Sequence, residues 1–414
     1  MCKYRMMDKA SYSVKYLLLD LNSFFASCEQ QDRPEWRGKP LAVVPMITDS
    51  TSVLASSVEA KKYGIKTGTS VADAKKLCPK IILVKADHRR YTKYHHQIVK
   101  AVEEICPVEK VLSIDEMVCE LIGRETVLDE AIRIARKIKD HLRQTVGETL
   151  TSSIGLGPNI LISKIASDMM KPDGLVSIPQ EKILETLGQL PIEVISGIGS
   201  NMKKYLNTRG YYKFHQLYEL SSPEMRNLWG GLVGLRMSQE LKGFDVGRPE
   251  TKSKSLSHQH VLPPELRNAN GAYEILIKLL SKAASRLRKS EQKCKHLGIY
   301  IKETSGLRYE ENISFQETND SFFLIEQLKK KYKKLKITKP IKVAVYLSDF
   351  TVGNEVQLSL FADHKTQKLG FVMDLVNNRY GANTLVSAGF LDTRSEAKAK
   401  IAFHHIPKED DEFD

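Results

Sequence analysis

The sequence predicts an α+β fold: a helix-covered sheet with carboxylates gathered at one edge, then a helical block, then a second α+β block. Three observations predict it. Residues 14–20 form an apolar run, with Leu17 to Leu19 at its centre, that reads as a strand buried on both faces and ending in Asp20. Residues 111–121 set the adjacent acids Asp115 and Glu116 between two short β-type runs, Val111 to Ile114 and Met117 to Cys119. Side chains alternate along a strand, so two acids at a strand centre would leave one buried and uncompensated. A turn between two strands avoids this and presents both acids at a sheet edge. Finally, strands and amphipathic helices interleave through residue 169, the order of a sheet covered by helices. If the first strand and the hairpin are neighbours, Asp20, Asp115 and Glu116 converge. Three carboxylates repel unless cations neutralise them, and paired Mg²⁺ ions clamping a phosphoryl group are the usual chemistry of such a cluster. A plain hairpin turn with solvated acids is the alternative for residues 111–121 taken alone.

The elements follow in order. Residues 41–45 read as a short strand after the Gly38-Lys39-Pro40 turn, and a helix begins at Ser57 and is stopped by Gly64. Asp87 is placed to N-cap a helix running to Ile105 that carries Arg89, Arg90, Lys93 and Lys100. Its adjacent pair His95-His96 cannot share one helix face and reads as solvated. After the acid hairpin come an amphipathic helix over 128–142, a strand over 151–156 and a helix over 159–169 that ends before Lys171-Pro172. From Pro179 the periodicity becomes helical with short turns. There Gly197-Ile198-Gly199 opens a helix bearing Lys203, with backbone N–H groups turned outward where a phosphate can accept them. Residues 246–257 are polar and read as a linker. The second α+β block has a helix through Leu276, Leu280 and Leu287, strands near 297–302 and 341–347, and a helix over 366–378 behind it. Between the two strands stands a basic run, Lys329, Lys330, Lys331, Lys333 and Lys334.

Composition narrows the function classes. The 414 residues carry 63 Lys and Arg against 50 Asp and Glu, a net charge of +13, which over folded domains points to a polyanionic partner. No run approaches the ~20 apolar residues of a spanning helix, so nucleic acid is a better partner than a membrane. The N-terminus has no signal-peptide pattern, and six scattered cysteines form no Cys-x-x-Cys pair. A reduced, cytoplasmic, monomeric protein without zinc is expected.

Residues 20–29, Asp-Leu-Asn-Ser-Phe-Phe-Ala-Ser-Cys-Glu, together with Ser113-Ile114-Asp115-Glu116, resemble the Y-family translesion DNA polymerases, and among them the UmuC/ImpB/MucB/SamB-type branch of bacteria. The likeness continues through Val58-Glu59-Ala60-Lys61, Ser163-Lys164-Ile165-Ala166-Ser167-Asp168 and Lys171-Pro172-Asp173-Gly174. It implies a right-hand polymerase: a ferredoxin-like palm over 14–23 and 87–178, small fingers over 24–86, and a thumb with a helix-hairpin-helix over 179–245. A little finger over 258–356 and a tail over 362–414 complete it. By the resemblance, Asp20, Asp115, Glu116 and the Leu21 carbonyl hold two Mg²⁺ ions, and Lys61 and Lys164 contact a deoxyribonucleoside triphosphate. Phe25 is the ring that excludes a ribose 2′-hydroxyl, with Phe24 beside it in the core. Gly197, Gly199, Lys203 and the Lys329–Lys334 run meet primer–template DNA. Many relatives carry Tyr and Arg where this chain has Val58 and Lys61; Val58 cannot donate a hydrogen bond, and Lys is a point charge where Arg would be bidentate. Asn22 stands where other branches have an acid.

Residues 357–361, Gln-Leu-Ser-Leu-Phe, resemble the peptide by which bacterial polymerases hold the sliding clamp, with Gln357, Leu358, Leu360 and Phe361 as anchors. The expected activity is low-fidelity, DNA-templated synthesis past damaged bases in an SOS-type response. Two other readings compete. One is a DNA- and clamp-binding protein with weak or no polymerase activity of its own, mildly favoured by Val58 and opposed by the three acids. The other is a nucleotidyl cyclase, which would have no use for the Gly-Ile-Gly turn or the basic second block.

Overall fold

The apolar first strand, Tyr16–Leu21, is buried along its whole length because it is the centre of a five-stranded sheet. On one side it pairs antiparallel with Glu116–Glu120, on the other with Ser152–Gly157; Lys110–Val111 and Leu175–Ser177 are the outer strands. Two helices, His88–Glu103 and Leu128–Thr145, cover one face and share its core with Leu17, Leu19, Met117 and Ile154. The computed structural model describes residues 12–247, 253–352, 364–381, 383–393, 396–397 and 406. Among these, no helix is long and apolar enough to cross a membrane, and the five described cysteines are buried and free.

The opposite face receives the helix Ile160–Met169, which lies unusually close to the sheet. A Cβ on Gly155 would sit 1.9 Å from the Ser163 carbonyl oxygen and 2.4 Å from the Ser167 nitrogen. Glycine on the strand and serine on the helix therefore set the spacing. Ser163 Oγ closes the contact by donating to the Tyr16 carbonyl, at 3.1 Å. Asn159 caps this helix, accepting from Ile162 N at 2.9 Å.

Within residues 24–86, a three-stranded sheet of Leu41–Val44, Ala55–Ser56 and Ile82–Lys85 has a small core of its own with Val44, Ile65, Val71 and Ala74, while Leu41, Val43 and Val84 join the core of the five-stranded sheet. The helix expected at 57–63 is one turn, Val58–Lys61, capped by Ser57. Residues 183–241 carry five helices around Phe214, Leu217, Met225 and Leu241.

A second compact unit follows. Its antiparallel sheet has the order Arg308–Thr318, Gln292–Glu303, Pro340–Val352, Ser255–Val261. The last strand begins inside the stretch read as linker. Its Ser-Leu-Ser-His-Gln-His pattern alternates small polar residues, which suits an edge strand but not a continuous apolar signal. Helices Ala269–Lys289 and Ser321–Tyr332 pack on one face of the sheet. The helix expected at 366–378 spans His364–Tyr380 and is fastened by Arg288, whose guanidinium donates twice to Asp374 at 2.6 and 3.0 Å.

Candidate active site

The three carboxylates meet where the first strand ends. Asp20 pairs directly opposite Glu116, and the Leu21 N–H donates to the Asp115 carbonyl at 2.8 Å. Asp115 lies in the turn, as the sequence suggests, but Glu116 is the first residue of the returning strand. The turn is tied down by Ser113, whose Oγ donates to Asp115 Oδ1 at 2.6 Å, and by Leu112 N and Ser113 N, which donate to the Glu116 carbonyl at 2.9 and 3.2 Å.

His95 overturns its expected solvated state. It is buried, and its Nδ1 lies 2.8 Å from the Ile114 carbonyl, immediately behind the acids. Helix periodicity puts residues 91, 95, 98 and 102 on the sheet side, and only the tertiary contact supplies the imidazole's partner. Burial lowers its pKa to about 4, the Ile114 contact opposing and His96 assisting. The ring is neutral at neutral pH and fixes the acid turn by donating to Ile114.

Two ammonium groups stand among the carboxylates. Lys164 Nζ lies 2.5 Å from Asp20 Oδ2, 2.8 Å from Glu116 Oε1 and 3.3 Å from Asp168 Oδ1. Lys171 Nζ lies 2.7 Å from Asp20 Oδ2 and 2.7 Å from Asp168 Oδ1. Burial disfavours the Lys164 charge, but Asp20 and Glu116 outweigh it and raise the pKa. Asp115 and Glu116 are pushed above the usual carboxylate range, first by desolvation and then by their acidic neighbours, against the opposing pull of Ser113 on the one and Lys164 on the other. Lys61 is lowered by desolvation and by the charge of Lys171, although much of its side chain is exposed. Thus Lys164 reaches the acid edge, and Lys171, which sequence reasoning did not assign, reaches it as closely, whereas Lys61 stands only within range of the charges of Asp20 and Asp115.

Among the described residues no three carboxylate, imidazole or thiol groups are arranged as a ready metal site; here the ammoniums occupy the space between the acids. The donor set nonetheless fits a hard divalent cation. It is all oxygen, partly desolvated and mutually repelling, and a cation would relieve the repulsion that raises Asp115 and Glu116.

Phe24 is in the core, whereas Phe25 is half-buried at its margin. Its ring stacks on Tyr91, centroids 4.2 Å apart and planes 12° apart, and Tyr91 donates to the fully buried Glu29 carboxylate at 2.8 Å. Arg90, read as part of a basic helix face, is spent on Glu29 and Asp32, at 2.6 and 2.9 Å. Asn22 is buried and bonds Ser153 and the Asp173 N–H, at 3.0 and 2.7 Å. It is a brace for the 171–174 turn.

Gly197 takes φ +100° and Gly199 caps the helix Ser200–Asn207 without any side-chain capping bond. Lys203 on that helix is paired with Glu193. In the second unit the basic run forms the last turn of the helix Ser321–Tyr332 and the turn after it. Lys330 pairs with Glu326 and Lys331 with Glu311, at 3.1 and 3.2 Å. Strand pairing assembles another cationic group that linear reading missed: Arg308, Lys302 and Lys342 are register partners across three adjacent strands. Partners in an antiparallel ladder share a face, so this row lies opposite Ile301, Val343 and the helices. Period-two alternation in each strand was its only sequence signal. Gln357, Leu358, Leu360 and Phe361 lie outside the described residues.

The model for the impB/mucB/samB family matches residues 19–168, and that for the family's C-terminal domain matches residues 253–360. The DNA polymerase IV of Moorella thermoacetica is 34% identical over 280 residues, covering 66% of this chain and 69% of that protein. The chain belongs to this family. Its members are the Y-family DNA polymerases, and further relatives agree. The DNA polymerase IV of Pelotomaculum thermopropionicum is 28% identical over 383 residues, 90% of this chain and 94% of that one. Among solved structures, a Y-family DNA polymerase chimera superposes with a TM-score of 0.69 at 23% identity, covering 82% of this chain and 100% of that chain, which supports the fold. DinB from Sulfolobus solfataricus gives 0.52 at 25% identity with the same coverage. The expected α+β, right-hand polymerase architecture holds.

Proposed function

We propose that this chain is a DNA-templated DNA polymerase that copies past damaged template bases with low fidelity. Its reaction transfers a nucleotidyl group to a primer 3′-hydroxyl. The observation that carries the reading is the pairing of Asp20 opposite Glu116 with Asp115 in the adjoining turn. These acids, with the Leu21 carbonyl, would hold two Mg²⁺ ions, which supply an acidified 3′-hydroxyl and neutralised phosphate oxygens. The chain's own residues do the rest. Lys164 and Lys61 bring positive charge to the triphosphate. Phe25, held flat by Tyr91, fills the space beside the sugar C2′ and excludes a 2′-hydroxyl. Primer extension on templates with and without a defined lesion tests the reading. Synthesis across the lesion is expected, and a chain that extends neither template is not a polymerase.

The DNA surface is read from charge. Gly197, Gly199 and Lys203 suit a phosphate at the helix opening, and the Lys329–Lys334 run and the Arg308–Lys302–Lys342 row suit the backbone. Like charges opposite one another in a ladder are destabilising without an anion, which favours the row. Binding should depend little on sequence and fall steeply with salt. Neutralising Lys329, Lys330, Lys331, Lys333 and Lys334 together should flatten the plot of log affinity against log salt, by up to about 0.9 for each phosphate no longer neutralised. An unchanged slope returns that run to a solvated helix end and leaves the strand row as the surface.

Residues 357–361 would dock on a bacterial sliding clamp, raising the local concentration of a weakly held enzyme at the primer end. Replacing Gln357, Leu360 and Phe361 by Ala should remove clamp-stimulated synthesis while basal extension on short primers survives. Loss of basal activity and thermal stability together would make the segment structural. We further assign the protein to the cytoplasm, acting as a monomer on nucleoid DNA.

A further inference from the structure

We propose that Asn159 is a positioning residue: it fixes the five-helix block of residues 183–241 to the acid-bearing sheet, and so sets the register in which a bound primer end meets the acids. This rests on the polymerase reading above and adds a residue which that reading leaves unused. The helix Ile160–Met169, which carries Lys164 and Asp168, has two neighbours within one compact unit. One side lies against Gly155 of the sheet. The other, through Leu161, Ile162 and Ile165, shares a core with Ile183, Met237 and Leu241 of the block. Apolar burial is non-directional, so directional contacts must decide where along that core the block comes to rest. Asn159 supplies them. It is 2% exposed, and both ends of its carboxamide are engaged. Oδ1 accepts the Ile162 N–H at 2.9 Å and caps the helix, while Nδ2 donates to the Glu240 carbonyl at 2.7 Å and the Phe244 carbonyl at 3.1 Å.

Those carbonyls lie where the last helix of the block, Gly231–Leu241, comes to its end. Gly243, at φ +88°, donates to Glu240 O at 3.0 Å, and Phe244 N donates to Gln239 O at 3.1 Å, the two bonds of a Schellman end. A Cβ on Gly243 would stand 2.9 Å from side-chain carbons of Gln180 and Ile183, so the end is seated closely. Gln180 Nε2 donates to the Lys242 carbonyl at 3.0 Å. Asp245 Oδ2 then accepts from Lys15 Nζ at 2.6 Å and from Tyr16 OH at 2.7 Å, at the start of the strand that ends in Asp20. Lys15 and Asp245 are 43% and 30% exposed, so that pair is screened and the buried amide is the firmer fastening. The phosphate grip proposed at Gly197 and Gly199 belongs to the block, and the acids belong to the sheet. A duplex held by the one presents its 3′ end to the other at a spacing set by the joint between them. A misplacement of about 1 Å can cost roughly 100-fold in rate. One side chain caps the helix of Lys164 and holds the block, so neither shifts without the other.

The test is single-turnover primer extension with enzyme in excess over DNA, so that inactive enzyme does not limit the amplitude. Wild type should extend in one fast phase. Asn159→Asp keeps an oxygen for the helix cap but turns a carboxylate toward two carbonyls. It should lower the amplitude of the fast phase about twofold or more, the size expected when about tenfold is lost from an alignment equilibrium. The remaining primer should extend slowly. The fast rate constant and the nucleotide concentration for half-maximal rate should match wild type, because aligned complexes react normally. Asn159→Ser, which caps without reaching the block and adds no charge, should act in the same direction, and Asp245→Ala should do so more weakly. Full wild-type amplitude in both Asn159 variants overturns the proposal. So does a lowered rate constant at full amplitude, which would confine Asn159 to the local geometry of its own helix. An effect of Asn159→Asp without one of Asn159→Ser belongs to the new charge and also overturns it. If neither Asn159 variant folds, Asp245→Ala decides alone, and an unchanged amplitude there sinks the joint. A wild-type enzyme that extends no primer overturns the polymerase reading itself.

Discussion

Changing Asp20, Asp115 or Glu116 to Ala is expected to abolish nucleotide incorporation while primer–template binding persists. Each acid is an oxygen donor at one sheet edge, and loss of a metal-ligand charge removes several kcal/mol of transition-state stabilisation, a fall of roughly 10³-fold or more. DNA affinity should hold because these groups recruit cations, not phosphates. Asp115→Asn adds a readout independent of activity. In the metal-free protein Asp115 is raised by desolvation and by Asp20. Its contribution to stability is therefore fully present below the ordinary aspartate value and is lost as pH rises through the higher folded value. The neutral amide escapes that loss, so Asp115→Asn should melt a few degrees higher than wild type at neutral pH without metal. Single-turnover extension and thermal melting check both halves. Near-wild-type incorporation by any of the three alanine variants removes that residue from the site.

Phe25→Ala is expected to shift sugar choice toward ribonucleotides by about tenfold or more, the scale of a steric overlap of 1–3 kcal/mol. Stacked on Tyr91, whose hydroxyl is anchored by Glu29, the ring cannot yield to a 2′-hydroxyl by tilting. Deoxyribonucleotide use should survive, since the ring acts by overlap with the 2′-hydroxyl and not by attracting the deoxyribose. Glu29→Gln keeps the shape but weakens the anchor, and should relax discrimination less. The ratio of kcat/KM for the two sugars measures this. If Phe25→Ala leaves the ratio unchanged, the gate lies elsewhere, with Phe24 next in line; its burial in the core makes it the poorer candidate.

Local sequence was enough to locate the acids, because an acid at the end of an apolar strand and an acid pair between two short strands are signals within about ten residues. One cap was legible for the same reason: Asp87 accepts the N–H group three residues ahead, as expected, while Asn159, read as the first helical residue, is itself a cap. Burial of His95, the bracing of residues 171–174 and the cationic row Arg308–Lys302–Lys342 were not legible. Each depends on what lies opposite in space: His95 and Ile114 are 19 residues apart and Asn22 and Asp173 are 151, and alternation within a strand does not say which strands pair.

The chain's own order of residues therefore determined the α+β class, the positive charge and the chemical type of the site, since period and composition act locally. Only the tertiary structure decided how that site is wired. Strand register set Asp20 against Glu116, and Gly155 let the 160–169 helix approach until Lys164 reached both acids. The same packing turned Arg90, one of the basic residues of its helix, into an internal brace for Glu29, and set Lys139 against the carbonyls of Ser152, Asp173 and Gly174. A cation's role is fixed by which carboxylates or carbonyls surround it, and that neighbourhood exists only once distant segments are packed together.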